Sequence, residues 1–310
     1  MKNLFFTTAA LCAALFSFRV SAAETLRAFQ SDSTVDIWVG TRFFTSYRYR
    51  TGEKLPYFFP VNGPSGASVT SVRNPQYPHH ASLWFGCDRV NGGNYWQDKM
   101  ERGRILSESL VLEGAQRGTS ADLPNVSGKE VILRQTCVWR RPDAPEPFRD
   151  TRRYVLSAPS AELRVIDAEI TLEALTDVVI EKTNHSLFSL RADPAFAMGA
   201  GGTMLNAEGL TGEKATFGKG SPWMAFYGPR GNGAQEGIAL FQHPANPGYP
   251  APWFTRDYGF LSPTPMFWPA DGKATTLKRG GTLTLRYRVV VFAGDAQRAR
   301  LSEQFEAYAK

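Results

Sequence analysis

The 310-residue chain has little cysteine, little histidine and, beyond its first segment, no long apolar run. Its 3 cysteines show no Cys-x-x-Cys spacing, which argues against a zinc site built on thiolates. The apolar runs beyond residue 22 are too short for a membrane-spanning helix, so no membrane span is expected. The 35 Lys and Arg residues are interleaved with 29 Asp and Glu residues. Nucleic-acid binding needs basic residues clustered on one element, so nucleic acid is not an expected partner.

The first 22 residues have the features of a secretory signal peptide. Lys2 supplies a positive charge, residues 4–18 are almost wholly apolar, and residues 20–22 supply the small side chains of a cleavage site. Arg19 interrupts the apolar run, which is too short to span a membrane. We therefore predict a periplasmic or secreted protein whose mature chain begins near Ala23.

The predicted mature chain keeps two cysteines, Cys87 and Cys137. Export compartments are oxidising, so the two thiols could form one disulfide there. Both stand in strand-like stretches, and buried free thiols are an equal alternative.

Apolar residues alternate with polar ones over many short runs that Gly, Pro and Asn separate. These runs predict strands at 34–40, 41–49, 104–112, 130–139, 152–156, 163–172, 178–191, 237–241 and 283–292. Residues 296–309 have helical spacing, with Asp295 as the N-cap, and residues 116–129 are expected to form a loop. We predict an all-β protein: a large antiparallel β-sandwich with a C-terminal helix. No Pro/Gly/Ser-rich linker stands out, so 23–310 is expected to be a single domain.

All four histidines fall inside three short turn-rich segments, at 77–80, 182–186 and 243–247. Imidazole suits proton transfer and metal ligation near neutral pH, and loops often carry functional residues. We predict that the three segments converge on one site. The alternative is that turns recruit these histidines for local hydrogen bonds.

Residues 183–190, Thr-Asn-His-Ser-Leu-Phe-Ser-Leu, resemble the Thr-Asn-His-Ser-Tyr-Phe-Asn-Leu segment of aldose 1-epimerases, the galactose mutarotase family. The resemblance implies a galactose mutarotase-like supersandwich of twisted antiparallel sheets. It also implies that His185 donates a proton to the ring oxygen of a sugar. That family has a glutamate base in a late strand, whereas residues 282–292 contain no acid. The base would then be Asp257, Glu208 or Glu181.

Longer motifs are similar to a bacterial group labelled PmoA-like, or methane oxygenase-like. They are Pro-His-His-Ala-Ser-Leu-Trp-Phe-Gly at 78–86, Val-Asn-Gly-Gly-Asn-Tyr-Trp at 90–96, Leu-Asn-Ala-Glu-Gly at 205–209, and His-Pro-Ala-Asn-Pro-Gly-Tyr-Pro-Ala-Pro-Trp-Phe-Thr-Arg-Asp-Tyr-Gly at 243–259. The similarity spans most of the mature chain. A membrane methane monooxygenase subunit needs several apolar spans, so methane oxidation is not expected.

The predicted catalytic residues are His185, His80, Asp257 and Glu181. Chemistry at an anomeric centre needs an acid and a base. His185 is the main acid/base candidate, and His80 is its partner or a hydrogen-bond donor. A strand period of two would place Glu181 on the face of His185. Asp257, beside a guanidinium, would be ionised and able to accept a proton. A buried structural histidine and a structural ion pair are the alternatives.

Further polar and aromatic residues are predicted to bind substrate. Exposed aromatic rings can stack on sugar faces, and arginines can bind oxygen atoms, although core packing and salt bridges are the alternatives. In a strand, adjacent histidines point to opposite faces, so only one of a pair reaches a common pocket. The predicted binding set is His79, Arg191, Asn206, Glu208, His243, Trp253, Arg256 and Tyr258.

These features predict an exported carbohydrate-active enzyme that uses acid/base chemistry on a sugar or oxidised (keto) sugar, as an epimerase, lyase or hydrolase. Its partner would be a small-molecule carbohydrate, and no cofactor is expected. One alternative is a non-catalytic glycan-binding β-sandwich. The other is a metal-dependent oxidoreductase, because three histidines and a carboxylate can bind a transition metal. No His-x-His or His-x-x-x-His pair supports that alternative.

Overall fold

The computed structural model describes residues 22–97, 99–117, 123–231, 233–266 and 274–310. The predicted signal peptide, apart from its last residue, lies outside these ranges. The strands are β1 (Leu26–Gln30), β2 (Thr34–Val39), β3 (Arg42–Arg48), β4 (Tyr57–Val61), β5 (Val72–Asn74), β6 (Tyr77–Ala81), β7 (Leu83–Cys87), β8 (Arg104–Leu112), β9 (Gln116–Arg117), β10 (Pro124–Gly128), β11 (Glu130–Arg140), β12 (Phe148–Ser160), β13 (Leu163–Ala174), β14 (Val178–Ile180), β15 (Ser186–Arg191), β16 (Thr203–Asn206), β17 (Trp223–Pro229), β18 (Gln235–Gln242), β19 (Trp253–Arg256), β20 (Phe260–Pro263), β21 (Thr275–Leu277) and β22 (Thr282–Ala293). The α-helices are α1 (Glu213–Thr216) and α2 (Leu301–Tyr308), and short 3-10 turns cover Met100–Arg102, Pro194–Phe196 and Met198–Ala200.

Two large antiparallel sheets form the body of the protein. The ten-stranded sheet has the order β19-β20-β15-β7-β4-β3-β2-β1-β10-β9, and the eight-stranded sheet has the order β16-β17-β18-β22-β13-β12-β11-β8. Two small two-stranded sheets, β5-β6 and β14-β21, lie outside them. The prediction of an all-β antiparallel sandwich with a C-terminal helix is confirmed.

Aromatic side chains join the two sheets face to face. The rings of Tyr47 (β3) and Tyr154 (β12) have centroids 5.2 Å apart, and those of Phe188 (β15) and Tyr287 (β22) are 5.1 Å apart. All four side chains are buried. Burying each such ring stabilises the fold by about 1.5–3 kcal/mol, so these contacts hold the sheets at one spacing.

A buried ion pair stands inside this apolar interface. Arg152 donates to Asp150 through Nε and Nη2, at 2.6 and 2.9 Å, and the Nε1 of Trp139 donates to the same carboxylate at 2.7 Å. Both charged side chains are fully buried. A buried charge is costly unless it is paired or hydrogen-bonded, and here the three residues form one polar unit that links β11 and β12.

The predicted strand positions agree closely with the structure where alternation is regular. The run at 104–112 is β8, and the runs at 34–40 and 163–172 match β2 and β13 within two residues at each end. The single strand predicted at 178–191 is wrong, because 181–185 leave the sheet between β14 and β15. The loop predicted at 116–129 instead contains β9 and β10, which pair with each other and extend the edge of the large sheet.

The C-terminal helix is shorter than predicted. Asp295 accepts a hydrogen bond from the backbone N of Arg298 at 2.8 Å, but it caps a turn and not the helix. Arg300 has a left-handed backbone with φ of 52°, and α2 begins only after it. The helix packs Leu301, Phe305 and Tyr308 against the outer face of the eight-stranded sheet near Phe241.

Cys87 and Cys137 are both buried and both free thiols. Burial raises the pKa of each thiol well above its ordinary value, so neither is an ionised nucleophile at neutral pH. The sequence leaves open a disulfide or two buried free thiols, and the structure shows free thiols. No helix within the described ranges is long and apolar enough to cross a bilayer.

Asp150→Asn is expected to lower the free energy of unfolding by about 3 kcal/mol, because it leaves the buried charge of Arg152 without its counter-charge. The matched control is Arg149→Gln on the same strand, which removes an exposed ion pair with Glu108 and should cost about 0.5 kcal/mol or less. Urea unfolding followed by tryptophan fluorescence measures both. Equal losses in the two variants would contradict a special contribution from the buried pair.

Candidate functional site

The site lies on the outer face of the ten-stranded sheet, where β6 runs into β7. Phe85 points inward, since its ring contacts that of Trp139 in the opposite sheet at 6.4 Å. Neighbouring side chains in a strand alternate in direction, so Trp84 points outward. There Trp84 meets His80 of β6, at 5.6 Å between ring centroids, and Trp96, at 5.2 Å. The outer face is therefore covered by aromatic rings.

A left-handed residue sets the direction of the chain between His80 and Trp84. Ser82 is buried and has a φ of 67°, a conformation that non-glycine residues seldom adopt. Its hydroxyl donates to the side-chain oxygen of Thr70 at 2.7 Å. Such local strain persists only where the surrounding structure holds it, and it is common near functional sites.

His80 is a neutral imidazole inside an aromatic stack. Its side chain is 4% exposed, and its ring stacks on those of Tyr77 and Phe260, each at 5.0 Å. Burial lowers the pKa of His80 to about 2, and the neighbouring positive charges of His79 and Arg191 add to that effect. Its Nδ1 finds no hydrogen-bond partner among the described residues.

His185 is held by an aspartate that the sequence analysis did not single out. Antiparallel pairing aligns Ser186 of β15 with Cys87 of β7, so His185 and Asp88 stand opposite each other just beyond the strand ends. The backbone N of Asp88 donates to the carbonyl of His185 at 3.1 Å. Between the side chains, Nδ1 of His185 lies 3.2 Å from Oδ2 of Asp88. Asp88 is 4% exposed, whereas the His185 side chain is 28% exposed.

Aromatic rings flank the His185–Asp88 pair. The His185 ring lies 5.9 Å from that of Trp96 and 5.7 Å from that of Phe254. The carboxylate is thus enclosed and the imidazole keeps an open edge. The buried carboxylate thus faces Nδ1 of an imidazole that is partly open to solvent.

His79 adds a third imidazole. Its ring is 4.6 Å from that of His80 and perpendicular to it. Burial lowers the pKa of His79 to about 4, and the charge on His185 contributes in the same direction. His79 is therefore neutral at pH 7 and can accept a proton.

A cleft of about 380 Å³ opens beside these rings. His79, His80 and Trp96 belong to its lining, to which Glu53 and Lys99 contribute charged groups. This volume lies in the range of small-molecule sites. His185 is not part of the lining; it lies behind Trp96, close enough to act on the charge of His79.

Tyr258 and Arg191 support the aromatic stack and do not line the cleft. The Tyr258 ring stacks on Tyr77 at 4.6 Å, and the Arg191 guanidinium carbon lies 4.5 Å from the Tyr258 ring centroid. Arg191 is buried and donates to the carbonyl of Tyr258 at 2.6 Å. Within the described residues it has no carboxylate partner, so the salt bridge considered for it does not form with Asp193, which instead caps a 3-10 turn.

Asp257 and Arg256 belong to a helix cap. Asp257 is exposed, and its Oδ1 accepts a hydrogen bond from the backbone N of Glu213 at 2.7 Å, at the start of α1. Arg256 pairs with the Glu213 carboxylate at 2.9 Å and packs its guanidinium on Phe254 at 4.4 Å. The structure does not bring Asp257 into the cleft. Both residues have the structural role that was the alternative to catalysis, because they hold the start of α1.

Glu181 does not share a strand face with His185. The segment between β14 and β15 is irregular, so the period-two argument fails there, and Glu181 is exposed. Asp88, from another strand, occupies the place beside His185 that was predicted for Glu181.

Four other predicted residues lie elsewhere. Asn206 accepts from the backbone N of Leu210 at 2.7 Å and stabilises a turn on which Glu208 is exposed. Trp253 is fully buried and cannot serve as a stacking platform. His243 lies 5.1 Å from the ring of Tyr308 in α2. The structure therefore does not bring His243 to the other histidines; His79 and His80 line the cleft, and His185 lies beside Trp96.

Asp88 and Trp96 are the main residues that sequence reasoning missed. Asp88 directly follows the strand-like run that ends at Cys87, and Trp96 ends the motif at 90–96. Neither has a local pattern that distinguishes it from a surface carboxylate or a core aromatic. In the described ranges, no group of three His, Cys, Asp or Glu side chains has the geometry to hold a metal ion.

His80→Phe should flatten the dependence of stability on acid. The folded protein keeps His80 neutral, whereas the unfolded chain binds a proton below about pH 6.5. Its contribution is complete above that pH and is lost as the pH falls toward the folded value. The phenyl ring preserves the stacking, so the slope of unfolding free energy against pH between 6.5 and 4.5 should decrease by about 1 kcal/mol per pH unit. Urea unfolding across this range provides the measurement. His243→Phe, at a less buried histidine, should change the slope less; identical slopes in all three proteins would refute the assignment.

Comparison with known proteins places the chain in a family. No curated protein sequence matches it. Among solved structures, a "putative aldose 1-epimerase" from Klebsiella pneumoniae subsp. pneumoniae is similar with a TM-score of 0.34 and 10% sequence identity, over 93% of this chain and 84% of that chain. The sequence pattern of a family of unknown function, DUF6807, matches residues 34–306. Since this match covers most of the chain, the protein belongs to the DUF6807 family.

Proposed function

We propose that this protein is a carbohydrate-active enzyme in which His185 transfers a proton to or from a sugar. The observation that carries the proposal is the contact between Nδ1 of His185 and the buried carboxylate of Asp88, at 3.2 Å, next to the wall of a cleft. The predicted signal peptide would place this activity in the periplasm or outside the cell.

Asp88 would orient the imidazole of His185 and balance its charge. A carboxylate facing Nδ1 favours the tautomer that carries its proton there, so Nε2 is left to accept a proton from substrate. Once Nε2 is protonated, the same carboxylate stabilises the imidazolium. Because Asp88 is enclosed, this attraction is weakly screened by water.

His79 would serve as the second proton-transfer group. It lines the cleft and is held neutral, while His185 has a carboxylate beside it. Two titratable groups in unlike environments can act as acid and base in one reaction. On an aldose that reaches from the cleft to the exposed edge of His185, the imidazolium form of His185 would give a proton to the ring oxygen while the neutral His79 takes the anomeric hydroxyl proton. The bond between the anomeric carbon and the ring oxygen then breaks, and an open-chain carbonyl forms.

The remaining lining suits a polyhydroxylated ligand. The exposed Pro78 and Met100 offer apolar surface for the C–H face of a sugar ring, and Glu53, Gln97 and Lys99 offer polar groups for hydroxyls. An oxidised (keto) sugar fits the same chemistry, because the proton next to its carbonyl is acidic and a base can remove it.

His185→Ala should abolish turnover while the protein stays folded, with a loss of about 10²–10⁴-fold in rate. Asp88→Asn, which keeps the shape but removes the charge, should cost about 10–100-fold. His243→Ala is the matched control, since that histidine lies against Tyr308 of α2, whereas His185 contacts Asp88 and Trp96 beside the cleft. The measurement is NMR of the purified protein mixed with monosaccharides, disaccharides and 3-keto sugars, which detects both anomeric exchange and new products.

Three results would contradict the proposal. Equal turnover in wild type and His185→Ala would remove His185 from the chemistry. Unfolding of His185→Ala, seen by circular dichroism, together with full activity of Asp88→Asn, would assign the histidine a structural role. Line broadening of a sugar without any conversion would favour the non-catalytic glycan-binding alternative.

A further inference from the structure

A second cavity, of about 420 Å³, adjoins the histidine cleft. The two share Met100, which is 43% exposed and lies on the 3-10 turn at Met100–Arg102. We call the second one the arginine cavity, because its lining includes the guanidinium-bearing residues Arg104, Arg140 and Arg141. A ligand longer than one sugar unit could therefore extend from the histidine cleft across Met100 into the arginine cavity.

The arginines of this cavity are held mainly by uncharged groups. Arg104 donates through Nε and Nη2 to the carbonyl of Glu53, at 3.2 and 2.9 Å, and also to the carbonyl of Thr51. Arg141 donates through Nη2 to the carbonyl of Asn91 at 2.8 Å. Within the described parts of the chain, only Arg140 pairs with a carboxylate, that of Glu146 at 2.6 Å.

Backbone carbonyls orient a guanidinium but do not neutralise its charge. The lining contains one carboxylate, Glu101, against three guanidinium groups, so the cavity has a positive balance. Arginine presents a planar fork of donors that matches carboxylate and sulfate oxygens. Met100, Leu106 and Pro142 supply apolar surface in the same cavity, against which the C–H face of a sugar ring can pack.

We propose that the arginine cavity binds the anionic group of an acidic sugar unit, next to the unit whose proton is transferred in the histidine cleft. The substrate would then be an acidic oligosaccharide, and Arg141 with Arg104 would recognise its charge. This inference rests on the proposed function, because it assigns the substrate class of the same enzyme. The shared ligand chemistry is an anionic oxygen group, which either a uronate carboxylate or a sulfate ester would supply.

The test is calorimetric titration of the full chain with short galacturonate oligomers, galactose oligomers of equal length and sulfated galactose oligomers. The wild type should bind at least one acidic series about tenfold or more tightly than the neutral one, as expected for a charge-assisted hydrogen bond. Comparison of the galacturonate titration with the sulfated-galactose titration identifies which anionic group the cavity binds. Arg141→Met, which keeps the aliphatic length, should remove most of this preference and leave binding of the neutral oligomers unchanged. Raising the salt concentration should weaken acidic binding only.

Arg27→Met is the matched control. Arg27 is exposed and, like Arg141, donates to one backbone carbonyl, that of Gly40 at 3.0 Å. It should leave the preference intact, and an equal loss in both variants would overturn the proposal by showing an effect of net charge alone. Equal affinity of the wild type for acidic and neutral oligomers would also overturn it.

The experiments distinguish failure of the proposed catalytic function from failure of the proposed arginine cavity. If neutral sugars are converted by wild type and not by His185→Ala, while acidic units give no advantage, the proposed function stands and the arginine cavity has no recognition role. If acidic oligomers bind through Arg141 but no sugar is converted, the cavity stands as a binding site and the catalytic proposal fails. If no saccharide binds at all, both fail.

Discussion

The antiparallel pairing of β15 with β7 is the constraint on which the candidate site depends. Its register aligns Ser186 with Cys87, and His185 and Asp88 are the next residues, just beyond the ends of the two strands. A shift by one residue would turn every side chain of β15 to the other face of the sheet. That would take Phe188 out of its contact with Tyr287 and bury polar groups in the core. The packing of the two sheets therefore protects the geometry of the His185–Asp88 pair.

The polar groups inside this molecule differ in how completely they are shielded from water. In the core, Asp150 and Arg152 neutralise each other and Trp139 completes the unit. In the aromatic stack, His80 is kept neutral, whereas the buried Arg191 donates to the carbonyl of Tyr258 and packs on its ring. At the edge of that stack, Asp88 is enclosed but His185 has an open side, so a proton can enter and leave. Three degrees of burial thus produce three kinds of polar group.

Regular alternation predicted most strands of the two sheets, because the period of two follows directly from the burial of one face. Where the chain leaves the sheet, that argument failed. Glu181 and His185 obey the parity rule on paper, yet the segment between them is irregular. The sequence analysis chose His185, His79 and His80 from their residue type and from the resemblance of their motifs to known families. The structure places these three residues near one another. The sequence analysis also chose Trp253 and His243, which the structure places in the core and against α2.

The sequence by itself determined the all-β class, the positions of the longer strands, the terminal helix and the histidines that could move protons. These properties depend on residue type and on neighbours a few positions away. Tertiary structure alone decided that Asp88 is the partner of His185, that Asp257 caps α1, and that Met100 separates two adjoining cavities. Each of these relations joins residues from strands or loops far apart in the chain. They follow from strand register and sheet packing, which are set by the whole core and not by any local pattern.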